Sequence, residues 1–123
     1  VCIAAAAGII GDLKFERERL AEAAKEGFAT ATDFADWLVK EGAVPFRESH
    51  HITGRVVAIA EERGCGLEDL SLEDLKSVDA RITEGVFKVL AVEKSVLSRN
   101  SYGGTSPANV RTEIARARKR FSL

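Results

Sequence analysis

The sequence predicts an all-α fold. Apolar residues recur at i, i+3 and i+4 along most of the chain, and Ser, Thr, Pro and Gly stand where helices start and stop. No run of alternating β-branched residues competes with that reading.

Residues 1–10 are apolar nearly all round, which suits a helix inside a bundle better than one lying on a surface. Gly11 and Asp12 interrupt it, and residues 15–25 resume as an amphipathic helix that ends at Gly27. The third helix covers 30–41, with Thr30 or Thr32 as cap, with Ala31, Phe34, Ala35 and Leu38 at helical spacing, and with Gly42 as terminator. Pro45 suits the first turn of a long fourth helix running to Arg63, because it has no N–H to leave unpaired. Its inward positions include Phe46, Ser49, Ile52, Thr53, Val56 and Ala60, and Gly64 and Gly66 close it.

Ser71 followed by Asp74 resembles a capping box ahead of a short helix over 72–76. Another helix is expected over 80–90, capped by Asp79, with Ile82, Val86, Val89 and Leu90 inward. Residues 90–108 read as irregular, being dense in turn residues. Ser106 and Pro107 then start a final helix with Val110, Ile114, Ala117 and Phe121 as one apolar stripe. Phe34, Leu38, Phe46, Ile52, Val56, Val86 and Leu90 are the expected shared core.

The 123 residues carry 18 basic and 19 acidic side chains, a net charge of −1. A globule of this mass has roughly 6,400 Å² of surface against roughly 19,300 Å² unfolded, so about two-thirds could be buried. No apolar run reaches the ~18–20 residues of a membrane span, and the opening has neither the basic flank nor the cleavage pattern of a signal peptide. The reading is a cytoplasmic protein with no membrane partner. Cys2 and Cys65 are too few and too far apart for a disulfide framework or zinc knuckle and read as buried thiols. Methionine is absent, even at position 1, and the chain opens inside a helical pattern, so a piece of a longer protein is expected.

Four features invite chemistry. His50 and His51 are adjacent, and adjacent helical residues point about 100° apart, unlike the i, i+4 pair of a zinc helix. They read as one packed and one exposed histidine, with no metal. Gly103 and Gly104 precede a helix start, but the P-loop lysine and a preceding strand are missing, so they read as a structural turn. The last 25 residues carry about +5, yet stacking aromatics are not interleaved with the basic residues as single-strand binders require. The tail reads as solvated and dipole-complementing, without a nucleic-acid partner. None of the serines, Ser101 included, sits in a nucleophile elbow, and neither cysteine has an activating neighbour.

Three strings carry a more specific signal: GFATATDFADWLVKEGAVPFRESHHITGRVVAIAEERG over 27–64, LEDLSLEDLKSVDARITEGVFKVL over 67–90, and SVLSRNSYGGTSPANVRTEIARAR over 95–118. Together they resemble the C-terminal region of the argininosuccinate lyase family, of the fumarase/aspartase superfamily. The family pattern has an Ala-Thr-Asp-Leu-Ala-Asp-Tyr-Leu-Val block, then Pro-Phe-Arg-x-Ala-His, then Ser-Val-x-x-Arg-x-Ser-x-Gly-Gly-Thr. Here Phe34 replaces Leu, Trp37 replaces Tyr and Ser49 replaces Ala.

The resemblance implies the end of a long bundle helix with a linker over 1–26, followed by a small C-terminal helical domain over 27–123. It also implies a cytoplasmic homotetramer that splits argininosuccinate into arginine and fumarate by β-elimination, late in arginine biosynthesis and without a cofactor. The family's base is a serine on a Gly-Ser-Ser-x-Met-Pro-x-Lys-x-Asn-Pro loop with a histidine partner, and its substrate-binding Tyr, Gln and Lys belong upstream of the position of Val1. Neither motif is present here, so no catalytic, cofactor-binding or metal role falls on any residue of this chain. The remainder of the subunit and its copies are the implied partners. A free-standing interaction module, binding nucleic acid through the basic C-terminal helix, is the alternative.

Overall fold

The computed structural model describes residues 1–122, and their regular structure is helical. The helices are α1 (Cys2–Asp12), α2 (Arg17–Ala23), α3 (Ala31–Lys40), α4 (Phe46–Arg63), α5 (Leu72–Val78), α6 (Phe87–Leu90), α7 (Val92–Ser98) and α8 (Pro107–Phe121). Single 3-10 turns stand at Glu26–Phe28, Leu67–Asp69 and Glu84–Val86. No strand occurs among the described residues.

The core lies between α3 and α4 and is closed by the segments that follow. On α3, Asp33, Phe34, Trp37 and Leu38 are buried at the 3–4 residue spacing of one helix face, continued by Thr30 just before it. On α4 the matching row is Ser49, Ile52, Thr53, Val56 and Ala60. Leu67, Leu70, Leu75, Ile82, Val86 and Leu90 cover the remaining sides. Gly64, at φ 62, ends α4 in the left-handed conformation, which lets the chain turn back across that core.

The exposed area is 9327 Å², well above the globular expectation of roughly 6,400 Å². Burial explains the difference: α1, α2 and α8 contain no buried residue, so both ends of the chain project as arms from a core confined to the middle. The apolar stripe of α8 is accordingly open, with Val110, Ile114 and Phe121 all exposed.

Several sequence expectations need correction. Phe46 is 65% exposed and leaves the expected core. It is the first residue of α4, and helical side chains lean toward the N-terminus, so its ring projects past the end of the packed face and meets His50 edge-on at 4.6 Å. Neither cysteine is a buried thiol: Cys2 lies on the exposed arm and Cys65 is half-buried. Thr30 stands at the start of α3 but makes no side-chain cap bond. Its φ/ψ of −85°/0° is already helical rather than the extended conformation a capping hydroxyl uses.

The helix expected over 80–90 is broken in two. Asp79 accepts from the Arg81 N–H at 2.9 Å, forming a local turn instead of a cap, and regular helix begins only at Phe87. Ile82, Val86 and Leu90 are nevertheless buried, with Val89 half-buried. Residues 90–108 are not wholly irregular, because α7 lies within them. That helix is short and has no side-chain cap, so its serines read as turn residues. The Ser71–Asp74 box forms as expected: the Asp74 N–H donates to Ser71 Oγ and the Ser71 N–H donates to Asp74, each at 3.1 Å.

Candidate functional site

The three strings singled out above meet around α3. Asp33, from the first, lies on the buried face of α3 and is 9% exposed. Ser95 and Arg99, from the third, reach it from α7 and the residue just beyond: Ser95 Oγ donates to one carboxylate oxygen and Arg99 Nη2 to the other, each at 2.5 Å. Gly85, from the second, lies against Trp37, where a Cβ would stand 3.6 Å from the indole ring. Asp33 has both oxygens occupied, as a carboxylate removed from water requires.

Beside this junction is a cleft of about 290 Å³ whose walls include Asp36, Trp37, Lys40, Glu41 and Arg99. Lys40 donates to Asp36 at 3.3 Å, an exposed i, i+4 pair of the kind that contributes a few tenths of a kcal/mol. A second, more apolar groove of about 460 Å³ runs between the turn 101–105 and α8, lined by Tyr102, Gly103, Val110, Ile114 and Ala117. Tyr102 is 99% exposed at its mouth.

The turn itself is tightly determined. Gly103 has φ +77°, and a Cβ on Gly104 would stand 2.3 Å from the Arg99 carbonyl oxygen. The Gly104 N–H donates to the Ser101 carbonyl at 2.8 Å, and the Ser106 N–H donates to the Arg99 carbonyl at 3.1 Å. Asn109 Nδ2 donates to the carbonyls of Ser101 and Gly104 at 2.9 and 3.1 Å. The amides of Gly104 and Ser106 are thus engaged within the turn, the arrangement of a packed corner rather than of an anion cradle.

Two ion-pair networks tie the outer helices to α4. Arg63 grips Asp74 with two bonds of 2.6 and 2.7 Å, and the Ser71 hydroxyl adds a third at 2.7 Å. The Arg63 guanidinium first, and Ser71 second, hold the Asp74 carboxyl well below its ordinary value of 3.8. Arg81 bridges Asp79 and Glu48, and its hydrogen bond lowers the Asp79 carboxyl to about 2. Arg55 adds a bond to the Val78 carbonyl at the end of α5.

These carboxylates set a direction for acid stability. Both have a lower pKa folded than unfolded, so their stabilisation is present above about pH 4 and is lost progressively as pH falls through the folded values, about 2 for Asp79 and lower for Asp74. The unfolding midpoint should be flat from pH 7 to 5 and drop between 4 and 2, and Asp79→Asn should shrink that drop. A midpoint independent of pH over the same range would show that the networks contribute nothing.

Of the other residues considered from sequence, His50 and His51 are both exposed on α4, and His50 packs on Phe46. Ser101 is exposed on the turn. Among the described residues no group of three or more His, Cys, Asp or Glu side chains could hold a metal ion. No helix among them is long and apolar enough to cross a membrane. On the basic terminal helix, Arg116 pairs with Glu113 at 2.5 Å and Arg120 lies 5.3 Å from the ring of Phe121. Sequence reading missed the Asp33 junction, although a signal was present: an aspartate in the apolar row of Phe34 and Leu38 demands a buried partner.

Comparison with known proteins agrees with the three strings. Residues 28–97 match the family described as argininosuccinate lyase C-terminal. Over 119 residues, 97% of its length, the chain is 54% identical to a protein named argininosuccinate lyase from Chelativorans sp. (strain BNC1). The chain spans 25% of the length of that relative.

Proposed function

Because the chain belongs to the argininosuccinate lyase C-terminal family, we propose that it serves as the last quarter of an enzyme that cleaves argininosuccinate to arginine and fumarate. The 54% identity across 97% of the chain carries this reading. In the intact protein a base removes the proton beside a carboxylate, hydrogen-bond donors hold the resulting aci-carboxylate, and an acid protonates the departing guanidino nitrogen. None of these roles is given to a residue of this chain: His50 and His51 stand exposed side by side on α4, and Ser101 stands exposed on the turn before α8. Arginine biosynthesis, a cytoplasmic location and a homotetramer belong to the same proposal.

The task left to this segment is structural. Residues 1–26 are the end of a central helical bundle with its linker, and 27–123 are a small domain at one end of the subunit. Burial supports that division, since every residue from 1 to 27 is exposed and Phe28 is the first that is not. So does the backbone: Gly27 and Phe28 both have positive φ, breaking helical continuity where the family match begins. The exposed apolar residues of α1, among them Ile3, Ile9 and Ile10, are then the face that the rest of the bundle covers.

The test is fumarate release from argininosuccinate, measured on the longer protein that carries this chain and on residues 1–123 alone. Turnover is expected from the first and none above the buffer blank from the second. Activity of 1–123 that survives repurification and disappears on mutating His50, His51 or Ser101 would overturn the assignment, as would a longer protein that releases no fumarate.

A further inference from the structure

We propose that Asp33 and Arg99 form a latch that fixes the terminal arm, residues 99–122, against the core. This goes beyond the lyase reading and does not rest on it. The arm has little else to hold it: among the described residues Ser106 is its one buried residue, and α8 has none. Its other hydrogen bonds are internal or reach no further than α7, as with Asn109 to Ser101 and Gly104 and Arg99 to Ser95. Among the described residues, the one hydrogen bond that joins the arm to any element before α7 is Arg99 to Asp33.

Arg99 is placed to transmit that contact. It follows the last residue of α7 with φ/ψ of −78°/58°, outside the helical region, so the chain changes direction there. Its guanidinium reaches back to α3, while its carbonyl accepts the Ser106 N–H at the start of α8. One residue therefore grips the core with its side chain and the terminal helix with its main chain. The anchor is firm because Asp33 is nearly buried, and losing its cation would leave a carboxylate unpaired away from water. Ser95 satisfies the other oxygen, which orients the carboxylate toward Arg99. Gly104 then lets the turn fold tightly over the Arg99 carbonyl. The latch thereby decides how the Tyr102 groove and the open stripe of α8 are presented.

The test measures the position of α8 directly. Spin labels at Glu62→Cys on α4 and Arg111→Cys on α8, in the 123-residue chain carrying Cys2→Ser and Cys65→Ser, report the distance between core and arm by pulsed electron resonance. A single narrow distance is expected with the latch intact. It should spread into a broad distribution in Asp33→Asn and Arg99→Ala at unchanged helix content. Arg99→Lys should keep the narrow peak, because the contact with Asp33 uses a single nitrogen that an ammonium can replace. Should Asp33→Asn fail to fold, Arg99→Ala decides alone, since that side chain is 46% exposed and leaves the apolar core untouched. A narrow peak retained in Arg99→Ala, or a broad distribution with the latch intact, would overturn the proposal.

Discussion

Phe34→Ala should cost about 3–5 kcal/mol of stability, the range for removing a fully buried aromatic ring. Phe34 has no exposed surface and belongs to the cluster formed by α3, α4 and the segments that close them. Domains of ordinary stability have only about 5–15 kcal/mol in total, so the variant should be largely unfolded at modest urea concentrations. Phe34→Leu, which installs the residue of the family pattern, keeps part of the side chain and should lose much less. Urea titration followed by circular dichroism checks both. A Phe34→Ala midpoint equal to that of the parent would mean the ring does not fill the space between the helices.

Gly104→Ala should open the turn that starts α8. The new methyl would stand 2.3 Å from the Arg99 carbonyl oxygen and 2.9 Å from that of Ser101, and both are backbone atoms that cannot swing away as a side chain would. Relief requires moving one of these carbonyls, which breaks the Ser106 to Arg99 bond, the Gly104 to Ser101 bond, or both. Strain of this kind costs of order 1–3 kcal/mol. Gly103→Ala should cost about 1–2 kcal/mol, because its φ of +77° forces the Cβ penalty of left-handed backbone. Amide hydrogen exchange at Ser106 and through the first turn of α8 is the sensitive measure, since these lie outside the core. Exchange as slow as in the parent for both variants would show that the turn is not constrained as described.

Much of the fold was legible because its signals are local. Apolar spacing located α3 and α4, Ser71 with Asp74 and Ser106 with Pro107 marked two helix starts, and Gly64 marked an end. The same logic failed where long-range contacts decide. The 80–90 segment looks helical by spacing, yet Ile82, Val86 and Leu90 reach the core through a turn at Asp79 and a short 3-10 segment. Phe46 fits the apolar phase of α4, but its place at the very start of the helix leaves nothing opposite it. The open surface of α8 was illegible for another reason: a stripe specifies a face to be covered, not which chain segment covers it. The Asp33 junction joins residues 66 positions apart, and no periodicity within either segment could pair them.

That separation has a kinetic meaning. Closing a loop costs entropy that grows with its length, and the 66-residue span of Asp33 to Arg99 costs about 1.6 kcal/mol more than the 11-residue span of Arg63 to Asp74. The α3–α4 hairpin, joined by a short connection, can collapse on its own side chains first, as local contacts generally do. Until Arg99 arrives, the Asp33 oxygen that its guanidinium takes has no partner from the protein. The ion pair is therefore expected to close late, sealing a core that already exists rather than seeding one.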